Sequence, residues 1–307
     1  MMVARHDFPL HDFPLHDNHS HTQIVKRVPK QARVLELGCG DGSMSQLLRE
    51  FCQASVVGVD HNAQAVQQAR LYCTQVHVAD LEQADSLALF EDHTFDVITL
   101  VDVLEHLKNP SDLLHRLERL LAPNGYLLLS VPNIAHVSVR LELLNGQFEY
   151  ESDGILDTTH LRFFTLRSLY ECLQQAGYQV LEVDYTQHDM ADMVIARYLQ
   201  QAGLEPTAQV LEMFHTSDAI AYQFILVATP ITAESVLHDV GVLFPEVAPR
   251  LPIKPLAASW ETWEYLHNEL QRTQAELERV YATRSWRLLR QAANLWRSIQ
   301  VRFTQSC

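Results

Sequence analysis

The stretch VLELGCGDG, at residues 34–42, decides the fold of this chain. It places an apolar segment directly before three glycines that stand two positions apart, Gly38, Gly40 and Gly42. Glycine adopts positive φ angles freely and has no Cβ, so its backbone can approach a ligand closely. Apolar residues at helical spacing follow, and the first amides of such a helix favour an anionic group. The pattern predicts a strand, a ligand-binding loop and a helix.

Three acidic residues stand in or directly after apolar segments. Glu36 lies inside the first strand between two leucines, where an unpaired carboxylate would be costly and needs a partner such as a ligand ammonium. Asp60 ends the segment SVVGVD, and Asp80 ends the segment VHVAD. Carboxylates at the carboxyl ends of strands can accept hydrogen bonds from ribose hydroxyls. The three acids strengthen the prediction of a nucleotide-type site.

These motifs resemble the class I S-adenosylmethionine-dependent methyltransferases over residues 30–230. In that family the acid of the first strand, here Glu36, approaches the methionine ammonium, and the glycine loop lies against the methionine moiety. The resemblance places Asp60 at the ribose and Asp80 with Leu81 beside the adenine. A dinucleotide-binding domain is the alternative, but the spacing here is G-x-G-x-G and not G-x-G-x-x-G. The predicted S-adenosylmethionine site comprises Glu36, Gly38, Cys39, Gly40, Gly42, Asp60, His61, Asp80, Leu81 and Val101.

Strand and helix patterns alternate through the same region. The segment TFDVITLVDVLEHLKNP indicates a fourth strand, a loop and the start of a helix over residues 110–121. YLLLSVPN indicates a fifth strand, and Gly177 is expected to end a later helix in the left-handed conformation. A sixth strand at residues 178–185 and a seventh at 221–228 follow. We therefore predict an α/β fold, a doubly wound Rossmann-like sheet of seven strands with a C-terminal helical appendage. The resemblance implies an antiparallel seventh strand.

Composition and charge limit the classes of function. The chain has 307 residues, of which 47% are hydrophobic, as in an ordinary globular protein. The formal net charge of −15 argues against a nucleic-acid binder, which needs clustered lysine and arginine. No apolar run has the ~18–20 residues of a membrane span, and the N-terminus lacks an apolar signal segment. The five cysteines show no metal-binding spacing, so we expect mostly buried, reduced thiols of a cytoplasmic protein.

The two ends of the chain differ from the predicted catalytic domain. HDFPL occurs twice in succession near the N-terminus, which predicts a disordered His/Asp/Pro repeat, although clustered His and Asp could bind a metal. Near the C-terminus a proline-rich segment precedes apolar residues at helical spacing. The predicted organisation is the repeat at residues 1–22, the methyltransferase domain at 23–230, a linker at 231–255 and an amphipathic helical tail at 256–307.

The predicted tail is unusual in its charge. Residues 281–307 hold five arginines and no acidic residue. An exposed apolar stripe needs a cover, and three covers fit this charge. The tail can pack on the acidic domain, form a homodimer with a second copy, or make a peripheral contact with an anionic membrane surface. The sequence leaves these three interactions open.

Residues 134–165 form the predicted substrate cap. They fall between strand five and its following helix, where the resembling family often inserts such a cap. The segment GILDTTHLRFFT in this region resembles one that is frequent in methyltransferases of bacterial surface-polysaccharide gene clusters. We predict that Tyr150, Asp157 and Arg162 bind the acceptor, and a solvated loop position is the alternative for each.

The predicted catalytic residues are two histidines, His106 after the fourth strand and His160 in the cap. Methyl transfer from a sulfonium is an in-line displacement, so positioning the acceptor supplies much of the rate. A hydroxyl acceptor also benefits from a base, and histidine, with an unperturbed pKa of ~6.5, suits that role. A capping or cofactor-lining role is the alternative for His106. Glu105 could bind Mg²⁺, but a single carboxylate supplies too few oxygen ligands for such a site, so no metal is predicted.

The sequence as a whole predicts methyl transfer from S-adenosylmethionine to a hydroxyl of a sugar or glycan precursor. The motif DVLEHLKNP also resembles segments of the quinone-pathway O-methyltransferases, so a small metabolite such as a quinone precursor is the first alternative acceptor. A non-catalytic, cofactor-binding scaffold or regulatory protein is the second alternative. The predicted partner is a small-molecule or glycan-precursor acceptor, with no nucleic acid.

Overall fold

The computed structural model describes residues 16–90 and 93–232, which form a seven-stranded sheet with helices on both faces. The strands are β1 (Arg33–Leu37), β2 (Ser55–Asp60), β3 (Gln75–Val78), β4 (Phe95–Val101), β5 (Leu121–Pro132), β6 (Tyr178–Gln187) and β7 (Ala221–Pro230). The helices are α1 (Ser20–Val25), α2 (Ser43–Cys52), α3 (Ala63–Ala69), α4 (Pro110–Leu117), α5 (Val137–Leu144), α6 (Leu166–Gln175), α7 (Asp192–Gln201), α8 (Ala208–Glu212) and α9 (Ser217–Ile220). The HDFPL repeat, nearly all of the predicted linker and the predicted tail lie outside the described residues.

The sheet is doubly wound around its first strand. Its order is β3-β2-β1-β4-β5-β7-β6, and β1 pairs parallel with both β2 and β4. The gap between β1 and β4 is therefore a topological switch point, where open α/β sheets bind ligands. β7 lies between β5 and β6 and runs antiparallel to both. The predicted fold class is confirmed, including the antiparallel seventh strand that the resemblance implies.

Alternate side chains of β1 enter two separate layers of the core. Leu35 and Leu37 belong to a buried cluster on the face covered by α4 and α6. Val34 belongs to a second cluster, on the face covered by α1 and α2. Burying one such side chain contributes roughly 1.5–3 kcal/mol, so a strand buried on both faces is held firmly at the middle of the sheet. This strand fixes the position of the glycine loop that follows it.

The helix predicted over residues 110–121 is shorter than expected. α4 ends at Leu117, a single 3₁₀ turn follows, and β5 already begins at Leu121. The reason is tertiary, because Leu121 pairs with Phe95 at the start of β4. The turn residues Pro-Asn-Gly that were expected to end the helix lie inside β5, where Asn124 takes a positive φ of 67°. Strand pairing has overridden the local turn pattern.

The segment between β6 and β7 contains three helices that the sequence analysis did not assign. α7 packs on α5, and the contact buries Ile195 and Leu199 against Val137 and Leu141. The predicted cap therefore carries a second helical layer above it. The apolar stripe of α7 faces another helix and not the sheet.

The described residues also bear on the predicted cellular context. Their four cysteines are free thiols, with Cys39 and Cys52 buried and Cys73 and Cys172 partly exposed. Every helix in this part of the chain is too short or too polar to cross a bilayer. A cytoplasmic location stays a prediction.

The N-terminal segment joins the domain earlier than expected. α1 begins at Ser20, three residues before the predicted domain start at residue 23. The amide of Asn18 donates to the Gln187 carbonyl at 2.7 Å, and its Oδ1 accepts from the Gln187 backbone amide at 2.7 Å. These bonds tie the segment to β6, the strand at one edge of the sheet. The ordered domain therefore extends to residues that the sequence analysis assigned to the repeat.

Arg27, just after α1, is the main link between this segment and β6. Its side chain is fully buried, and its guanidinium lies 2.7 Å from a carboxylate oxygen of Glu182 and 2.6 Å from one of Asp184. It also donates to the carbonyl and the side-chain oxygen of Gln23. A buried charge is tolerated only when it is paired and fully hydrogen-bonded, as it is here.

We predict that Arg27→Ala lowers the free energy of unfolding by about 3 kcal/mol, because it removes a fully buried guanidinium and its bonds to Glu182, Asp184 and Gln23. Arg33→Ala is the control, since Arg33 pairs with Asp96 through side chains that are 54% and 41% exposed. This exposed, solvent-screened pair should contribute little to stability. Urea denaturation of both variants measures the difference. Equal losses would contradict the proposed link.

Candidate functional site

The carboxyl ends of four parallel strands meet at one edge of the sheet and enclose a cavity. β1, β2, β3 and β4 end at the same edge, so the residues that follow them lie together. The cavity has a volume of about 780 Å³, which is typical of small-molecule sites. It is lined by Gly38, Asp60, His61, Ala79, Asp80, Leu81, Glu82, Asp102, Val103, His106, Leu107, Lys108, Thr159 and Leu161.

Two of the three loop glycines approach their neighbours so closely that a side chain is excluded. Gly38, Gly40 and Gly42 have φ angles of 73°, 53° and 90°. A Cβ on Gly38 would lie 2.6 Å from the Val103 side chain, and one on Gly42 would lie 2.7 Å from the Ala69 Cα. Nothing lies within 4 Å of a Cβ placed on Gly40. Gly40 therefore needs glycine for its backbone angle and leaves space beside the loop.

Asp60 anchors this loop to the end of β2. Its Oδ2 accepts a hydrogen bond from the Gly40 amide at 2.9 Å, and its Oδ1 accepts one from the Asn62 amide at 2.8 Å. Each carboxylate oxygen can accept a further bond. The carboxylate lies in the cavity wall, where a hydroxyl donor can reach it. Its position agrees with the predicted ribose contact.

Glu36 lies behind the loop and is buried. Its carboxyl accepts a short hydrogen bond from the Ser45 hydroxyl of α2. Burial raises the pKa of this carboxyl to about 8, and the Ser45 bond offsets only part of that effect. Glu36 does not line the cavity in this structure. The side chain is thus a mostly protonated acid at neutral pH, close to the loop that would face a ligand.

Asp80 and Leu81 border the opposite end of the cavity, after β3. The Asp80 carboxylate accepts from the Glu82 amide at 2.9 Å, and this bond lowers its pKa. Leu81 is almost fully buried, and its carbonyl accepts a 2.5 Å bond from Arg116 of α4. The two residues present a carboxylate and an apolar side chain, which suits a flat polar ring.

The cavity contains only part of the predicted cofactor set. Gly38, Asp60, His61, Asp80 and Leu81 line it, as expected. Cys39 instead packs beside Cys73 against Gly58 of β2, and Val101 packs against the core cluster under α2. Cys39 and Val101 are next to lining residues in the sequence, but their side chains point into the protein.

Asp102 is a lining residue that the sequence analysis missed. It directly follows β4, takes a positive φ of 55°, and accepts hydrogen bonds from the hydroxyl of Ser130 and the amide of Gln223. Its side chain opens onto the cavity, but the surrounding protein raises its pKa to about 6. A signal was available in the sequence, because Asp60 and Asp80 also stand at or just after the carboxyl end of a strand, β2 and β3. A non-glycine residue in this backbone conformation is strained, and such strain concentrates at functional sites.

The two predicted catalytic histidines meet next to Asp102, together with Glu105. The ring centroids of His106 and His160 lie 4.8 Å apart. His106 lines the cavity, and burial lowers its pKa. Glu105 is 1% exposed, and burial, followed by the charge of Asp102, raises its pKa well above the usual value. The sequence analysis predicted no metal, yet the ligand atoms of Glu105, His106 and His160 all lie within 4.8 Å of one another and could hold one.

The predicted acceptor-binding residues of the cap lie outside the cavity wall. Arg162 donates to the Lys108 carbonyl at 3.0 and 2.5 Å, which fastens the cap to the loop after β4. Asp157 accepts from the hydroxyl and the amide of Thr159 at 2.6 Å. Tyr150 is 55% exposed. Through these contacts Arg162 and Asp157 hold the cap in its conformation. Thr159, the partner of Asp157, lines the cavity.

A second cavity of about 240 Å³ lies between the cap and the segment that follows β6, next to Tyr222 at the start of β7. His136 is oriented there by two bonds: its Nε2 donates to the His188 carbonyl at 2.7 Å, and its Nδ1 accepts from the Ser138 hydroxyl at 2.8 Å. The cavity is lined by His136, Ser138, Val139, Glu142, Glu151, Ile155, Leu156, His188, Asp189, Met190 and Tyr222. Its wall combines acidic and polar side chains with four apolar ones, and the wall of the larger cavity is mixed in the same way.

Known proteins resemble this chain in sequence and in fold. It is 30% identical over 159 residues to the ubiquinone biosynthesis O-methyltransferase of Neisseria meningitidis serogroup A / serotype 4A. The matched region is 49% of this chain and 65% of that relative. The enzyme of that name from Burkholderia thailandensis is 30% identical over 165 residues, 52% of this chain and 70% of the relative. The magnesium protoporphyrin IX methyltransferase of Synechocystis PCC 6803, solved with bound SAH, gives a TM-score of 0.45 at 18% identity, over 70% of this chain and 83% of that one.

The match to the Neisseria relative thus spans less than two thirds of that relative's length. A family model described as a methyltransferase domain matches residues 17–183, which is more than half of the chain. This match starts ahead of α1 and contains the glycine loop, Asp60, Asp102 and both histidines. The chain therefore belongs to the methyltransferase domain family.

Proposed function

We propose that this chain transfers a methyl group from S-adenosylmethionine to a hydroxyl oxygen of a small acceptor. The observation that carries the proposal is the glycine loop, which the Gly40 amide ties to the Asp60 carboxylate at 2.9 Å beside the large cavity. Membership of the methyltransferase domain family supports the reaction type. The strand-end acids supply acceptors for ribose hydroxyls, and the loop backbone gives the methionine moiety a surface without side chains.

The cofactor would span the cavity from the glycine loop to Leu81. Its ammonium would lie towards Glu36, its ribose hydroxyls at Asp60, and its adenine beside Asp80 and Leu81. The methyl group would then face the remaining wall, which Asp102 and His106 form. Methyl transfer is an in-line displacement, so this wall has to hold the acceptor hydroxyl in line with the departing sulfur.

For the acceptor, a phenolic hydroxyl of a quinone precursor is favoured. The two relatives from Neisseria and Burkholderia are named ubiquinone biosynthesis O-methyltransferase. Three apolar side chains, Val103, Leu107 and Leu161, line the part of the cavity next to His106, and apolar walls suit a flat aromatic ring. A hydroxyl of a sugar or glycan precursor is the second candidate. Three side chains of the smaller cavity support it, since Glu142, Glu151 and Tyr222 can form hydrogen bonds with a polyhydroxylated ligand.

We expect Asp60→Ala to lower S-adenosylmethionine affinity by roughly 10- to 100-fold. A hydrogen bond to a charged group contributes about 1.5–3 kcal/mol, and this carboxylate also positions the Gly40 amide. Asp41→Asn is the matched control, because Asp41 lies in the same loop but its carboxylate accepts from the amide and hydroxyl of Ser43 and does not line the cavity. The control should keep the affinity of the unmodified chain. Equal affinities of both variants in calorimetry would show that Asp60 does not bind the cofactor.

The pKa of Glu36 makes cofactor affinity depend on pH. Without ligand its pKa is about 8, so the carboxyl is protonated at pH 6.5. A nearby ammonium favours the carboxylate, so binding releases a proton, and affinity rises with pH by up to about tenfold per unit until the free pKa is reached. Calorimetry at pH 6.5 in two buffers of different ionisation enthalpy counts the protons. We expect a release near one for the unmodified chain and near zero for Glu36→Gln, whereas equal release would exclude Glu36 as the partner.

The acceptor class is tested with methyl-labelled cofactor. The full chain is incubated with it and either catechol-bearing benzoates or nucleotide sugars, and labelled products are separated by chromatography. We expect label in a methyl ether of the phenol. Label in the sugar would select the second candidate. Cofactor binding without transfer to any acceptor would overturn the enzymatic proposal in favour of a scaffold or regulatory protein.

A further inference from the structure

Two cysteines, Cys39 of the glycine loop and Cys73 before β3, lie side by side against β2. A Cβ placed on Gly58 would lie 2.9 Å from the Sγ of Cys39 and 3.0 Å from the Sγ of Cys73. Gly58 lies within β2 and has no positive φ angle, so its backbone does not require glycine. A glycine inside a strand often marks a place that other groups approach closely. The missing side chain at Gly58 therefore provides the space in which the two sulfurs meet.

The two thiols differ in exposure and in acidity. Cys39 is 4% exposed, whereas Cys73 is partly exposed. A hydrogen bond between the thiols lowers the pKa of Cys73, against the effect of its partial burial, and raises the pKa of Cys39. The Ser45 hydroxyl lies 3.1 Å from the Cys73 Sγ and lowers the pKa of Cys73 further. Cys73 is therefore the thiol that more easily forms the reactive thiolate, and a small oxidant can reach it.

Each of the other two described cysteines contacts an oxygen atom and not a second thiol. The Cys52 sulfur lies 3.4 Å from the Val25 carbonyl, and burial raises the pKa of this thiol. The Cys172 sulfur lies 3.6 Å from the Ser111 hydroxyl, and burial raises the pKa of this thiol as well. A raised pKa keeps a thiol protonated and unreactive. These two cysteines are therefore internal controls for the pair.

We propose that Cys39 and Cys73 are a modification site, at which hydrogen peroxide converts the two thiols into a disulfide. The Cys73 thiolate attacks one peroxide oxygen, the O–O bond breaks, and Cys73 becomes a sulfenic acid while the other oxygen takes up a proton and leaves as water. The sulfur of Cys39 then attacks the sulfenic sulfur, an S–S bond forms, and the sulfenic oxygen leaves as a second water. The two thiols lose two electrons and two protons, and the peroxide gains them.

The new bond would act directly on the glycine loop. An S–S bond is ~2.05 Å long, so the two free sulfurs have to move closer together. Cys39 stands between Gly38 and Gly40, whose backbone can change its angles most easily, so the loop is the segment that yields. In the reduced chain the Cys39 amide donates to the Val59 carbonyl at 3.0 Å and the Gly40 amide donates to Asp60 at 2.9 Å. The disulfide competes with these two bonds.

Oxidation should therefore lower the affinity for S-adenosylmethionine. This consequence rests on the proposed function, but the disulfide itself does not. Coupling between two sites typically changes affinity by about 5- to 150-fold, and we expect the loss on oxidation to fall in that range. Because such coupling is reciprocal, bound cofactor should protect the two thiols from peroxide. The chain would lose cofactor binding under oxidising conditions and regain it on reduction.

The test maps the disulfide in the full chain. The chain is reduced, freed of reductant, treated with a small excess of hydrogen peroxide, blocked with iodoacetamide and digested with trypsin without reduction. Cleavage after Arg49 and Arg70 places each of the first three cysteines in its own peptide. We expect mass spectrometry to find the Cys39 peptide joined to the Cys73 peptide, and the other cysteines alkylated.

Two variants separate the roles of the two thiols. In Cys39→Ser the sulfenic acid of Cys73 has no thiol to react with, so dimedone should label Cys73 after peroxide treatment. In Cys73→Ser the Cys39 thiol should stay reduced. Cys172→Ser is the matched control, because this thiol is also partly exposed, and it should form the same link as the unmodified chain. Cys307→Ser is the control for the cysteine outside the described residues.

Circular dichroism checks that each variant is folded, and mapping of the unmodified chain tests the proposal without any variant. The absence of a link between Cys39 and Cys73 in the folded, peroxide-treated chain would overturn the proposal. Oxidation of Cys172 to the same extent as Cys73 would overturn it too, since the pair would then have no special reactivity. A link that forms in Cys172→Ser and in Cys307→Ser would support it.

Calorimetry then separates this proposal from the function on which its consequence rests. Weaker S-adenosylmethionine binding by the oxidised chain, restored by dithiothreitol, would support both. Equal binding by the oxidised and reduced chains would keep the disulfide and overturn its effect on the loop. A mapped disulfide without cofactor binding in either state would keep the modification site and remove the proposed function.

Discussion

The parallel pairing of β1 with β2 and β4 is the constraint on which the rest of the site depends. Leu37 pairs with Val59 and with Leu100, so the three strands end level with one another. The amides of the next two residues, Gly38 and Cys39, both donate to the Val59 carbonyl, at 2.8 and 3.0 Å. The chain therefore turns directly at the end of β1. Gly38, the first residue of the turn, has no room for a side chain. The residues that follow all three strands reach the cavity because this edge is level.

Local patterns were enough to predict the part of the site that depends on strand ends. The glycines, Asp60 and Asp80 each follow a single apolar segment, so the sequence nearby already contains the information. The environment of Asp102 is different, because Ser130 and Gln223, which bond to its carboxylate, come from β5 and β7. No local pattern reports such a contact.

The cap shows a second limit of sequence analysis. A polar side chain in a loop can bind a ligand or hold the loop itself, and its sequence neighbours do not distinguish the two. Arg162 was predicted to meet the acceptor, but its guanidinium is used on the Lys108 carbonyl. His160 was predicted as a base, but its partners only became visible once Ile155 and Glu105 were placed around it. The helices above the cap were missed because α7 packs on α5 and not on the sheet.

Buried acids give the site its electrostatic character. Burial raises the pKa of Glu36 and of Glu105, and both lie on the side of the sheet edge where the cofactor and acceptor are proposed. In the described part of the chain neither has a lysine or arginine in ion-pair contact. S-adenosylmethionine carries an ammonium and a sulfonium, so its charge complements these acids. In the proposed complex the cofactor would supply the positive charge that these buried acids lack.

The position of β7 sets the order in which a newly made chain can complete its sheet. β6 leaves the ribosome before β7, yet within residues 16–90 and 93–232 its strand partner is β7 alone, which separates it from β5. Until residues 221–230 emerge, β5 has a bare edge and β6 has no neighbour in the sheet. Open strand edges of this kind invite pairing with other chains. During synthesis the incomplete domain thus depends on β7 for protection from aggregation. Gln223 lies in this strand, so its bond to Asp102 can form only after β7 has joined the sheet.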